Sequence, residues 1–165
     1  MSNDRRAQLQ ERLIRAQRVQ VTLSVLVNQS IAAQAGINPT DLQCLNLLTI
    51  EGPMSPSRLA EAMAMTKGGA VTAMVDRLEK AGYVQRTRST TDRRLVLVEI
   101  VWGEPLRKLM SYFEPVAELT AGTLADYSDD QLEFLAAFIE RGNEAFGFSP
   151  STATTPNSND THQQS

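Results

Sequence analysis

Residues 55–94 read SPSRLAEAMAMTKGGAVTAMVDRLEKAGYVQRTRSTTDRR, and the order of elements in this stretch decides the fold. Ser55-Pro56 pairs a capping residue with a proline suited to the first helical position, and Leu59, Ala62 and Met63 make the buried face of a short helix. Thr66 caps a second helix over about 67–81, with Val71, Met74, Val75 and Leu78 as its core stripe and Gly82 as its stop. Residues 83–88 and 95–101 read as two strands, and the polar Ser89-Thr90-Thr91-Asp92 between them as a hairpin tip. Two short helices followed by a basic hairpin make a helix-turn-helix with a wing. Such a unit lays one helix in the DNA major groove and sends an arginine-bearing loop to the neighbouring groove.

Within this unit the second helix is the expected reader. Its N-terminus presents free backbone N–H groups and a partial positive charge suited to phosphate, and Lys67 adds a full charge there. Gly68 and Gly69 cost about 1 kcal/mol each against alanine inside a helix; they either permit close backbone approach to DNA or are simply cheap in a first turn. Thr72 and Ala73 face away from the core stripe and suit small-side-chain or thymine-methyl contacts. Arg77, one turn on, either reaches a phosphate or pairs with neighbours such as Asp76 and Glu79 on the surface. No Asn, Gln or Arg stands between Thr66 and Val75, so specificity is expected to lean on groove fit and DNA shape rather than bidentate base reading. In the hairpin, Arg86, Arg88, Arg93 and Arg94 lie within nine residues, a density suited to a narrow minor groove. Asp92, two residues before Arg94, is expected to brace that guanidinium.

Outward from the unit, residues 5–35 read as one helix about 45 Å long. Its apolar positions, Leu9, Leu13, Ala16, Leu23 and Val27 widened by Ile14, Val21, Val25 and Ile31, spread beyond one narrow face. Apolarity that broad means burial on more than one side, and a second subunit is the expected cover. Gly36 closes the helix, and Asn38-Pro39-Thr40-Asp41 opens another that carries Leu42, Leu45, Leu47, Leu48 and Ile50 to a stop at Glu51-Gly52-Pro53. After the hairpin, a long helix over 104–127 is expected, kinked at Pro115. Ser128-Asp129-Asp130-Gln131 forms a capping box for a last helix to about Phe146. Residues 149–165 lack large apolar side chains and are expected to be disordered.

The 165 residues, 42% hydrophobic, carry a net charge of −3, which at first argues against a nucleic-acid partner. The average hides an asymmetry: residues 66–94 hold seven Lys/Arg against three Asp/Glu, and residues 95–165 three against eleven. A basic patch on an acidic remainder is compatible with DNA binding. One cysteine, Cys44, excludes an internal disulfide, and with one histidine, His162, it cannot build a Cys/His zinc site. No cofactor and no catalytic constellation is expected. Cys44 sits among leucines with no cation to activate it and reads as a small buried hydrophobe rather than a redox sensor. No apolar run approaches the roughly 18–20 residues of a membrane span. The polar start, MSNDRRAQLQERL, is not a secretory signal, so a cytoplasmic protein is expected.

From about 38 to 101 the chain resembles the MarR family of winged-helix transcription regulators. The resemblance rests on Gly36-Ile37-Asn38-Pro39-Thr40-Asp41-Leu42-Gln43, Leu59-Ala60, Val71-Thr72, Asp76-Arg77-Leu78-Glu79-Lys80-Ala81-Gly82-Tyr83-Val84 and Asp92-Arg93-Arg94, the last carrying the family's D-x-R wing pattern. It implies a mainly α fold of α+β type, a winged helix-turn-helix whose long N- and C-terminal helices form a dimerisation region. The implied division is a dimerisation helix over 1–37, the DNA-binding domain over 38–102, dimerisation helices over 103–148 and a tail over 149–165. It also implies a homodimer on a palindromic double-stranded operator, commonly a repressor released by a small lipophilic or aromatic effector bound between the two parts. Thr66, Lys67, Thr72 and Ala73 fall at recognition-helix contact positions, Arg94 at the wing arginine and Asp92 at its brace. With Gly68, Gly69, Arg77, Arg88 and Arg93 these make the expected DNA-contact set. Two departures stand out. Ala73 replaces a larger polar or basic residue, and Val101-Trp102-Gly103 replaces the usual Thr-x-x-Gly at the strand end. The effector pocket is not located by the sequence. A winged-helix protein-interaction module without specific DNA binding is the alternative reading.

Overall fold

The computed structural model describes residues 2–65 and 68–145. Thr66, Lys67 and the tail expected over 149–165 lie outside the described residues. Seven helices and one antiparallel pair of strands follow in the order α1 (Ser2–Ala35), α2 (Pro39–Glu51), α3 (Pro56–Ala62), α4 (Gly68–Lys80), β1 (Val84–Arg88), β2 (Val96–Ile100), α5 (Glu104–Ser111), α6 (Glu114–Leu124) and α7 (Asp129–Ala145) among the described residues. The fold is mainly α, with the winged helix-turn-helix in its middle.

Local chemistry sets most boundaries. Ser55 Oγ accepts the Arg58 N–H at 3.2 Å, capping α3. Ser128 and Gln131 exchange the two bonds of a capping box, at 2.9 and 3.4 Å, ahead of α7. Gly82 ends α4 at φ +78°, and Tyr83 N–H returns to Leu78 O at 2.9 Å, a Schellman closure. The turn between α3 and α4 uses the same closure, with Met65 N–H on Ala60 O at 2.8 Å, but its left-handed residue is Ala64, φ +51°. Asn38 stands at the N-cap of α2, but its side chain makes no cap bond and donates instead to Asp41 Oδ2 at 3.5 Å.

Leu42, Cys44, Leu45 and Leu48 of α2, Leu59 of α3, the four-residue stripe of α4, Val84, Val98, and Leu106 and Leu109 of α5 make one core. In α3 it is Ala60 rather than the expected Ala62 that turns partly inward, because 59, 60 and 63 share one face at helical spacing. β1 and β2 pair from Val84↔Ile100 to Arg88↔Val96. Met54 adds a bridge the sequence reading missed, exchanging bonds with Val98 at 3.0 and 2.8 Å. Its signal is a lone apolar residue held extended between Gly52-Pro53 and Ser55-Pro56.

The expected helix over 104–127 is two helices. Pro115 has no N–H to offer Ser111 O, so the ladder tightens. Tyr112 donates to Leu109 O at 3.1 Å, Phe113 to Met110 O at 2.9 Å and Val116 to Phe113 O at 3.0 Å. The kink foreseen at Pro115 thus becomes an interruption at Tyr112-Phe113. Beyond it, no residue of α6 or α7 is buried. At the other end, α1 buries Ile31 and Ala32 alone among its described residues, while Leu13, Val21, Leu23 and Leu26 are more than half exposed.

Candidate nucleic-acid interface

The amphipathic pattern of α4 fixes its outer face. Val71, Met74, Val75 and Leu78 turn inward, which leaves Gly69, Thr72 and Ala73 exposed, as expected. A methyl group built at Gly69 meets nothing within 4 Å. Packing among the described residues therefore does not require glycine there. Gly68 begins the described helix; Thr66 and Lys67, the expected cap and first charge, fall outside the described residues.

The cations of this region divide into two groups. Arg77 does not pair with Asp76 or Glu79. Its Nε and Nη2 hold Asp41 Oδ2 and Oδ1 of α2 at 3.2 and 2.6 Å. Asp41 is 3% exposed, and its hydrogen-bonded carboxylate raises the Arg77 pKa above its usual value. Arg86, counted in the sequence as a wing charge, is also turned inward. It donates to Asp76 Oδ1 at 2.5 Å and to Glu79, which also accepts the Arg86 backbone N–H at 3.1 Å. The Asp76 bond, then Glu79, raises its pKa. Strand alternation carried the signal for this: 84 and 86 share a face, and Val84 is buried against α4. No sequence signal pointed to Asp41, which lies 36 residues from Arg77.

The second group is Lys80, Arg88, Arg93 and Arg94, exposed and without a carboxylate partner for the charged group among the described residues. Three of them stand at the hairpin tip. The tip is tied together by its own bonds. Ser89 N–H donates to Leu95 O at 2.9 Å, and buried Ser89 Oγ accepts the N–H groups of Thr91 and Asp92 at 3.3 Å. Arg88 Nη1 reaches Arg93 O at 3.4 Å. Asp92 braces Arg94, but through the backbone: its Oδ1 accepts the Arg94 N–H at 2.9 Å. An aspartate two residues ahead forms an Asx turn more readily than it reaches a guanidinium, so the Arg94 head remains outward. No group of three or more His, Cys, Asp or Glu able to hold a metal occurs among the described residues.

Behind the interface, Cys44 is fully buried and its thiol is pushed up to about 12, first by burial and then by the Asp41 carboxylate. A thiol so protonated is a poor redox sensor. Where the C-terminal end of α1 meets Tyr83 and α5, a cleft of about 200 Å³ is lined in part by Gln34, Tyr83, Lys108 and Tyr112. Among the described residues no helix is long and apolar enough to cross a membrane.

Residues 37–96 match the model of the MarR family. The chain is 34% identical over 134 residues to the uncharacterized HTH-type transcriptional regulator YcgE of Bacillus subtilis, covering 81% of this chain and 86% of that protein. It is 41% identical over 61 residues to the HTH-type transcriptional repressor MdtR of the same organism, covering 37% of this chain and 39% of that protein. Among solved structures, a MarR family protein from Bacillus stearothermophilus superposes with a TM-score of 0.62 at 21% identity, covering 87% of this chain and 97% of that one.

Proposed function

Since the chain belongs to the MarR family of HTH-type transcriptional regulators, we propose that it acts as a homodimer that binds a palindromic operator and represses transcription until a small lipophilic or aromatic ligand releases it. The observation that carries this reading is the pairing of an outer α4 face of minimal bulk, Gly69, Thr72 and Ala73, with a hairpin tip bearing Arg88, Arg93 and Arg94 free of carboxylates among the described residues. The first suits close fit to the major groove, and the second suits phosphate and the minor groove. Gly68, at the start of α4, and Thr66 and Lys67, which precede it in the sequence, complete the proposed contact set. Arg77, expected in the same set, has its guanidinium committed to Asp41 and is left out of it.

Dimerism is supported by the apolar side chains that α1, α6 and α7 leave in water, and ligand release by the cleft beside Tyr83 and Tyr112. A ligand wedged there touches α1 and α5 on one side and the root of β1 on the other. The cleft is smaller than the roughly 300–1,000 Å³ of usual ligand sites, so it favours a small ligand or one that opens it.

Titration of upstream intergenic duplexes against salt tests the reading. A single palindromic site with half-sites about 10 base pairs apart and a steep salt slope is expected. Weak, sequence-blind binding would instead return the chain to a protein-interaction module.

A further inference from the structure

We propose that Asp41 and Arg77 are positioning residues for DNA recognition: the pair fixes the rotation of α4 against α2, and Arg77 acts through the helix rather than on a phosphate. The inference rests on the DNA-binding reading above. Three observations carry it. Both Asp41 oxygens are engaged by one guanidinium, Oδ1 at 2.6 Å and Oδ2 at 3.2 Å, with Asn38 Nδ2 on Oδ2 at 3.5 Å. Asp41 is 3% exposed, and among the described residues its one ion-pair partner is Arg77. Ala73 and Arg77 are i, i+4 neighbours on α4, so the side chain next to the proposed contact face is the one turned back to α2.

The apolar stripe of α4 cannot do this alone. Apolar burial is non-directional and tolerates small rotations and slides. A two-pronged guanidinium–carboxylate pair is directional and tolerates neither. Arg86 clasps the same helix from the wing side through Asp76 and Glu79, so α4 is held at its last two turns from opposite flanks. Asp41 itself lies in the first turn of α2, just beyond the Gly36 reversal that joins α2 to α1. The rotation of α4 is therefore tied to the end of the long helix that leaves the domain.

The test compares the unaltered chain with Asp41→Asn, Arg77→Lys and the double variant, on the specific operator and on a scrambled duplex, between 50 and about 200 mM salt. All measurements are made where circular dichroism shows each variant folded. Each single variant is expected to lose roughly tenfold in specific affinity, with the double no worse than either, and with scrambled-duplex affinity and salt slope unchanged. Lysine keeps a point charge for a phosphate but loses the fork. Preserved affinity in Arg77→Lys, together with tighter binding in Asp41→Asn, would therefore make Arg77 a direct phosphate contact and overturn the proposal. Unchanged affinity in all variants would reduce the pair to a stability element, also overturning it. Absence of specific binding by the unaltered chain would refute the DNA reading itself, and the proposal with it.

Discussion

Between Ile31 and Leu109 the chain packs a continuous core that takes in α2 to α5 and both strands; in α6 and α7 it buries nothing, and in α1 before Ile31 it buries nothing that is described. Both regions are rich in apolar side chains. They differ in periodicity. α4 carries its apolar residues on one stripe with small or charged residues opposite, and one chain suffices to cover the stripe. α1 spreads Leu13, Ile14, Val21, Leu23 and Leu26 around its surface, and α6–α7 expose Leu119 at 74% and Phe134 at 66%. Nothing among the described residues covers these. The middle is a self-sufficient reading head, and the flanks are half of an interface proposed to be completed by a second copy.

The largest expected effect comes from breaking the flanks. Leu119→Glu combined with Phe134→Glu is expected to leave the middle folded, shift the chain to monomer in sedimentation, and cost 10²–10⁴-fold in operator affinity as the second half-site contact becomes bimolecular. A still-dimeric variant would place the interface elsewhere. In the middle, Arg77→Leu strands a buried carboxylate and is expected to lower stability to urea by about 3 kcal/mol. At the tip, Arg94→Ala is expected to weaken operator binding by about 1–3 kcal/mol without altering the melting temperature, since its side chain has no partner among the described residues. Unchanged affinity would mean the wing stays off the DNA.

Smaller effects separate reading from folding within α4. Gly69→Ala fills open space and is expected to stabilise the fold by up to about 1 kcal/mol while weakening operator binding. Equal or tighter binding would show the glycine to be merely tolerated. The last effect is a pH dependence. Cys44 titrates near 9 when unfolded and at about 12 in the fold. The folded chain thus holds its proton more tightly, and the contribution to stability is constant below about 9 and falls as pH rises from there towards 12. Urea midpoints of the native chain and Cys44→Ala across that window check the sign: the native chain alone should show this component.

Much of this was legible in the residues. The Ser55 and Ser128 caps, the glycine stops at 36, 52 and 82 and the α4 stripe are local, since each depends on residues within one turn of helix. The exposed side of α4 followed from the stripe by elimination. What was not legible depends on docking across the chain. A charge count credited Arg77 and Arg86 to the DNA-facing surface because it could not see Asp41 across 36 residues, nor Asp76 and Glu79 across the α4–β1 turn. It therefore overstated the outward charge of the unit and understated how firmly the reading helix is held. The Asp92 brace was foreseen at the right residue but the wrong atom, because spacing says nothing of whether a carboxylate meets a side chain or a backbone N–H.

The most direct test of two reading heads joined by their flanks is the mass of the DNA complex, by sedimentation on a palindromic duplex and on the same duplex with five base pairs, about half a helical turn, inserted between half-sites. Two chains bound to the first duplex, with affinity collapsing on the second, is the expected result. One chain bound at full affinity, or indifference to the insertion, would contradict it.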